Sequence, residues 1–126
     1  MKIKGTKKAD YLVGTNDADV MKGGKGRDHL FGGEGNDVLY GGRGHDTFYF
    51  DDPESVDTIM DFEPGVDKLV ISHGAYAPPG FDDFGFWGTQ ALGEVFYNPT
   101  GNTADVSILV AVAPSTVFKD GDILIV

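Results

Sequence analysis

Residues 5–49 repeat with a period of nine, and that period leaves the chain few architectures to choose from. The frames span residues 5–13, 14–22, 23–31, 32–40 and 41–49. Position one is Gly5, Gly14, Gly23, Gly32 and Gly41. Position six is Asp10, Asp19, Asp28, Asp37 and Asp46, and position eight is Leu12, Met21, Leu30, Leu39 and Phe48. The last three frames also carry glycine at positions two and four, giving Gly-Gly-x-Gly-x-Asp. The first two have Thr6 and Lys8, then Thr15 and Asp17, and read as degenerate end repeats.

Glycines at these spacings let six residues turn sharply with their carbonyls inward, and the aspartate closing the turn adds the anionic oxygen that a hard cation prefers. The remaining three residues make one short strand whose middle side chain points inward, as a lone apolar residue at position eight requires. Two frames complete one coil. Loops two frames apart therefore stack on the same edge, one column holding Asp10, Asp28 and Asp46 and the other beginning with Asp19 and Asp37.

These frames resemble the RTX (repeats-in-toxin) family, whose nonapeptide is a known repeat pattern. The resemblance implies an all-β fold: a right-handed parallel β-roll of nonapeptide repeats closed by C-terminal antiparallel strands. It also implies Ca²⁺ held between stacked loops by the carbonyls of positions two and four and the carboxylate of position six. Carried onto this chain, the ligands are Gly24, Gly26 and Asp28; Gly33, Gly35 and Asp37; Gly42, Gly44 and Asp46; and Thr15, Asp17 and Asp19. In the 5–13 frame Lys8 places a cation beside the site, so no full site is expected there.

After Phe50 the period breaks, and residues 51–54 (Asp-Asp-Pro-Glu) read as a turn. The segment 57–71 resembles the piece that closes the roll in secreted RTX proteases and in the R-modules of alginate epimerases. Asp57 and Asp61 are its candidate ligands for the final sites, the alternative being solvated loop carboxylates. Residues 75–93 are rich in Gly, Pro and aromatics and read as an ordered irregular connection, with Trp87 as a core anchor. Strand-like runs at 94–98 and 106–112 flank a Pro-Thr-Gly-Asn-Thr hairpin connection. The end, Asp120-Gly-Asp122-Ile-Leu-Ile-Val126, resembles the uncleaved type I secretion signal of RTX exoproteins, and it also reads as a last strand.

A chain of 126 residues fits a single domain, with 5–50 as roll and 51–126 as cap. Its net charge of −10 argues against nucleic acid as a partner. The charge is unevenly divided: residues 1–49 hold eight Lys/Arg against seven Asp/Glu, and residues 50–126 hold two against thirteen. With no cysteine, disulfides and thiolate metal sites are excluded, which leaves a core and oxygen-ligated metal to stabilise the fold. No run approaches the ~20 apolar residues of a membrane span, and residues 1–12 lack a secretory h-region, so export is expected by another route. His29, His45 and His73 lack metal-ligand spacing, and Asp82 and Asp83 diverge as sequence neighbours, so no enzyme is expected.

The reading is a Ca²⁺-binding roll that folds outside the cell, as the export and folding domain of a type I secreted protein, with the secretion apparatus and Ca²⁺ as partners. The alternative is a polysaccharide-binding module. Positions seven and nine of alternate frames stack Tyr11, Val13, His29, Phe31, Thr47 and Tyr49 on one outer face, too apolar to leave in water without a reason. Either the C-terminal half folds back over this face, which is the preferred account, or part of the column stays open. In the open case Phe31 and Tyr49 beside Lys25, Arg27 and Arg43 would suit an acidic polysaccharide.

Overall fold

The computed structural model describes residues 1–50, 55–71, 85–89, 94–98, 107–111 and 121–125. The described elements are all strands: β1 Lys2–Lys4, β2 Tyr11–Val13, β3 Val20–Lys22, β4 His29–Phe31, β5 Val38–Tyr40, β6 Thr47–Phe50, β7 Asp57–Ile59, β8 Lys68–Ile71, β9 Gly85–Thr89, β10 Glu94–Asn98, β11 Ser107–Ala111 and β12 Ile123–Ile125. Up to β8 the chain alternates between two sheets, so each coil gives one strand to each. The sheet orders are β1-β3-β5-β7-β11-β10-β9 and β12-β8-β6-β4-β2. All pairings within the coils are parallel and place repeat position on repeat position, as in Met21↔Leu39 and Leu30↔Phe48.

This register follows from the one inward side chain of each three-residue repeat strand, β2 to β5. A slip of one residue would turn that side chain to solvent and a loop aspartate out of its column. Met21, Leu30, Leu39, Phe48, Ile59, Leu69 and Ile71 are fully buried between the sheets. Phe62 packs tilted against Phe48 at 6.3 Å. The core is a narrow strip, and each large apolar side chain in it contributes about 1.5–3 kcal/mol.

The roll continues past the periodic segment. Asp37 and Asp57 occupy equivalent places 20 residues apart, and Asp46 and Asp67 do so 21 apart, against 18 within the repeats. The later coils carry extra residues in their loops but keep the strand register, as in Leu39↔Ile59 and Phe48↔Leu69.

The C-terminal strands lie elsewhere than over the aromatic face. β9, β10 and β11 form an antiparallel group, and β11 joins β7 in parallel, so they lengthen one sheet at its end. β12 lengthens the other by pairing in parallel with β8. Among the described residues no strand covers the outer face of β2, β4 and β6, and Tyr11 and Val13 remain 73% and 67% exposed. The fold-back expectation is corrected on this point: open sheet edges with unpaired N–H and C=O groups took the added strands. The irregular reading of 75–93 is corrected at 85–89, where Gly-Phe-Trp-Gly-Thr is a strand paired with β10. The rest of that stretch, the Trp87 side chain, His73, Asp82, Asp83, the turn at 51–54 and the connection at 99–103 lie outside the described residues.

Two glycine environments separate backbone handedness from crowding. Gly42 has φ +86° and its position for a Cβ runs into the carbonyl oxygen of Gly24 in the stacked loop. Gly121 has φ +85° with nothing within 4 Å. Gly121→Ala is therefore expected to cost the left-handed backbone term alone, about 1 kcal/mol, and Gly42→Ala at least ~3 kcal/mol once the loops are also pushed apart. Thermal melts of the two variants in saturating Ca²⁺ check this; equal losses would mean that the loops are not in close stacking.

Candidate metal centre

The loops of alternate frames stack on two edges. On the first edge lie loops 5–10, 23–28 and 41–46, and on the second lie loops 14–19 and 32–37. Each position-six aspartate reaches back one coil. The Asp10 N–H donates to Asp28 Oδ1 at 2.9 Å, and the Asp28 N–H to Asp46 Oδ1 at 3.0 Å. On the second edge the Asp19 N–H donates to Asp37 Oδ1 at 2.8 Å, and the Asp37 N–H to Asp57 Oδ1 at 3.0 Å. Position one must be glycine for the same reason: a Cβ on Gly23 would lie 2.5 Å from Asp28 Oδ2 and 2.6 Å from the Gly41 carbonyl oxygen.

The second carboxylate oxygens are the anomaly. Oδ2 of Asp28, Asp37 and Asp46 is buried and has no hydrogen-bond partner. An ionised oxygen left so is costly, and adjacent carboxylates about 4.8 Å apart repel by ~3 kcal/mol at an effective dielectric near 20. Burial accordingly raises the affinity of these groups for a proton. Asp46 is pushed up to about 7, by burial first and then by the charges of Asp67, Asp28 and Asp61. Asp28 and Asp37 are raised by burial, with Asp10 and Asp19 respectively adding charge repulsion.

The Thr15 frame differs. The Thr15 N–H donates to Asp19 Oδ2 at 2.6 Å, the Thr15 hydroxyl lies 3.0 Å from both carboxylate oxygens, and the Met1 ammonium donates to Oδ1 at 2.9 Å. Burial alone would raise Asp19, but these donors outweigh it and hold the carboxyl below its ordinary value. Asp17 is exposed, and its N–H donates to the Thr15 hydroxyl at 3.2 Å. In the first frame Thr6 holds Asp10 in the same manner.

Of the two closing-segment candidates, Asp57 enters the second column, below Asp37. Asp61 takes a capping position, accepting the N–H groups of Gly41 and Gly42 at 2.8 and 2.9 Å. Sequence reasoning missed Asp67 and Asp122. Asp67 continues the first column, its Oδ1 accepting the Asp46 N–H at 3.0 Å and its Oδ2 the Glu63 N–H at 2.9 Å. Burial pushes it up to about 6. Its signal was present, since Asp67-Lys-Leu69 repeats the Asp-x-apolar order of positions six to eight. Asp122-Ile-Leu124 has the same order, but pairing of Ile123 with Leu69 sets buried Asp122 one residue out of register, opposite Lys68, and its Oδ1 accepts the Gly65 N–H at 2.9 Å.

No three His, Cys, Asp or Glu side chains among the described residues converge on one point. A cation here must therefore be held by main-chain carbonyls with one carboxylate per loop, the oxygen-rich and flexible set that suits Ca²⁺. The loops offer this. Glycines 24, 26, 33, 35, 42 and 44 all have positive φ, and loop 41–46 lies directly on loop 23–28, with the Arg43 N–H on the Gly24 carbonyl oxygen at 3.0 Å. The unpartnered, buried Oδ2 atoms fit the ion's charge.

The proposed carbohydrate residues fall in several places. Lys25 and Arg43 pair across stacked loops and line one groove. Phe31 and Tyr49 stack at 4.1 Å with planes 8° apart, and Tyr11 stacks on His29 at 4.5 Å. His29 Nδ1 and the Tyr49 hydroxyl share a 2.8 Å hydrogen bond. Arg27 lines a separate cavity with His29, His45 and Lys68.

Residues 13–48 match the family model of the RTX calcium-binding nonapeptide repeat (4 copies). Over those residues the periodic segment is thus an array of RTX repeats, which implies that the roll binds Ca²⁺. Among solved structures the chain is similar to the AlgE6R2 subunit of the Azotobacter vinelandii mannuronan C5-epimerase, with 25% identity, 99% of this chain and 92% of that one covered, and a TM-score of 0.56. The AlgE6R3 subunit of the same enzyme matches at 22% identity over 95% and 80%, with a TM-score of 0.38. No curated protein sequence matches the chain. The roll and its resemblance to epimerase R-modules stand as expected from the repeats.

The raised carboxyls give the metal-free protein a defined pH response. Their folded pKa values exceed the unfolded value, so the stabilisation by protonation is full below about 3.9. It is lost as pH rises through about 6 for Asp67 and about 7 for Asp46. Metal-free protein is expected to melt higher at pH 5 than at pH 8, and, because the unfolded carboxyls are ionised throughout that range, the Ca²⁺ needed for half-folding is expected to be no higher at pH 5 than at pH 8. Melting and far-UV titrations at the two pH values check both; a metal-free protein more stable at pH 8 would contradict the assignment.

Proposed function

We propose that this chain is a non-catalytic, calcium-folded module of an extracellular protein, open where Ca²⁺ is scarce and closed into the roll where it is plentiful. The observation that carries the reading is the trio of buried, unpartnered oxygens on Asp28, Asp37 and Asp46. A bound Ca²⁺ would supply the charge these oxygens lack. Because ligand binding to the folded state alone adds RT ln(1 + [L]/Kd), occupancy is folding energy. The holding groups are those three carboxylates and Asp57, with the carbonyls of Gly24, Gly26, Gly33, Gly35, Gly42 and Gly44. Asp61 would stay on the N–H groups of Gly41 and Gly42 at the last loop of the first edge. Thr15, Asp17 and Asp19 make a weaker end position, since Asp19 already has donors on both oxygens.

The experiment is a Ca²⁺ titration followed by far-UV circular dichroism. Asp28→Asn, Asp37→Asn and Asp46→Asn keep a side-chain acceptor for the N–H of the preceding coil but lose the charge, and each is expected to raise the half-folding Ca²⁺ concentration about tenfold or more, one lost ligand charge being worth over ~1.4 kcal/mol. Asp19→Asn should shift it far less. A chelated wild-type protein that keeps its β spectrum and melting temperature would sink the reading.

Export by a type I apparatus belongs to this proposal. β12 is paired to β8 in the folded roll, so a secretion signal there would be read before folding is complete. Deleting residues 123–126 is expected to abolish secretion by a host with such an apparatus, and to lower the melting temperature of refolded protein. Secretion at the wild-type level would remove the export role.

A second reading, binding of an acidic polysaccharide, is favoured by the uncovered aromatic face, with Tyr11 73% exposed and stacked on His29. The likeness to a subunit of a mannuronan epimerase supports it. Flat rings accept the apolar faces of sugars, and neighbouring cations suit their carboxylates.

A further inference from the structure

The repeat fixes positions one, six and eight, and leaves positions five and seven free to vary. In three consecutive coils on the first edge these two positions carry Arg27 and His29, then His45 and Thr47, then Val66 and Lys68. The parallel register His29↔Thr47↔Lys68 stacks them directly. One coil earlier the same slots hold Ala9 and Tyr11. On the second edge they hold Ala18 and Val20, then Asn36 and Val38. The same roll is built with or without cations and imidazoles in these slots, so folding does not account for the cluster.

These residues, with Asp46, line one cavity of about 290 Å³. Among the described residues neither Arg27 nor Lys68 enters an ion pair. Both imidazole rings are held by one nitrogen. His45 Nδ1 donates to the Val66 carbonyl oxygen at 3.1 Å, and His29 Nδ1 shares a 2.8 Å hydrogen bond with the Tyr49 hydroxyl, which leaves Nε2 of each ring for another partner. Asp46 is the one acid in the lining. Its Oδ1 takes the Asp28 N–H, and its Oδ2 is buried without a partner.

We infer that this cavity is a site for a phosphate-class oxyanion, free or as a monoester, and that calcium held at Asp46 strengthens it; the calcium link rests on the function proposed above, whereas the cavity does not. The unpaired charges of Arg27 and Lys68 match a dianion. A phosphoryl group carries about −1.5 to −2 and several strong acceptor oxygens, more than the single charge and two oxygens of a carboxylate. Donors of different shape meet it from coils about 4.8 Å apart: the planar Arg27 fork, the Lys68 ammonium and the Thr47 hydroxyl. The volume lies just under the roughly 300–1,000 Å³ of pockets for drug-sized ligands, which suits a phosphoryl head group. Phosphodiesters have one charge per group, and a net charge of −10 repels a polymer of them. Bare Asp46 opposes any anion here. A divalent cation on its carboxylate reverses the local sign, and by linkage an anion in the cavity favours calcium to the same degree.

The test is calorimetric titration of methyl phosphate into the full chain in saturating Ca²⁺, the folding of each variant being verified by its far-UV spectrum. Wild type is expected to bind, and Arg27→Gln and Lys68→Gln are each expected to weaken binding about tenfold through loss of a charge-assisted hydrogen bond. Lys7→Gln removes a cation of the same edge outside the cavity and should change affinity less than about twofold. Equal loss in all three variants would reduce the site to the general field of the edge and overturn it. Inorganic phosphate, kept below the point at which calcium phosphate separates, distinguishes the sources: equal competition identifies a site for the phosphoryl group alone, and failure to compete identifies a monoester site. Equal binding of glucuronate, or no binding of either phosphate, overturns the assignment and leaves calcium-driven folding untouched. For the calcium link, methyl phosphate at about ten times its Kd raises the folding constant about tenfold, which, shared among several ions, should lower the half-folding Ca²⁺ about twofold in wild type and not in Arg27→Gln/Lys68→Gln. If chelated wild type keeps its β spectrum, calcium-driven folding fails; if that protein also binds methyl phosphate with unchanged affinity, the calcium link fails with it and the cavity stands.

Discussion

The structure depends on a hydrogen bond that satisfies only half of its acceptor. Each position-six carboxylate takes the N–H of the aspartate one coil earlier, which ties coil to coil and defines the 18-residue stacking step. The geometry that makes this bond also buries the other oxygen, next to glycines that have no room for a side chain. Column formation and charge burial are therefore one event. A roll of this kind cannot collect enough apolar surface from one inward residue per repeat strand to override that penalty, so the compensation has to come from a cation or from a proton.

The two ends show the other solutions. At the N-terminal end threonine replaces a glycine, and its N–H and hydroxyl close the carboxylates of Asp10 and Asp19 locally. At the far end Asp61 reverses the roles, its carboxylate accepting two loop N–H groups that would otherwise lose their partners. Both devices consume carboxylate oxygens with protein donors. The open oxygens are thus confined to the middle of the roll, where a cation is flanked by loops on both sides.

Legibility in the sequence followed the same division. Strands β2 to β6, their register, the buried apolar column and the aspartate ladder could be read from five in-phase frames, because each fixed position has a single steric or electrostatic job. Asp57 was legible from likeness and Asp67 from its Asp-x-apolar order, although the longer loops before them, in coils of 20 and 21 residues, hid the continuing roll. The placement of β9 to β11 was not legible. Local pattern identified the β10–β11 pair, but whether such a pair covers a face or extends an edge is decided by which backbone groups are left unpaired, and β7 left a whole strand edge open. The aromatic column is a stack, as its spacing implied, and among the described residues no strand covers it for this reason.

A period of nine and a period of eighteen carry different information in this chain. Every ninth residue repeats what folding demands: a glycine, an aspartate, an apolar side chain. Alternate frames fall on opposite edges, so any residue type that recurs only every eighteen residues is segregated to one edge without cost to the core. Lys7, Lys25 and Arg43 recur in that way, and Asn16 and Glu34 occupy the matching slots across the roll. Folding chemistry alone would leave both edges alike, because both hold the same carboxylates in the same loops. The difference between them is the part of the sequence that folding does not explain, and it sits where stacked loops turn single exposed cations into a continuous charged line.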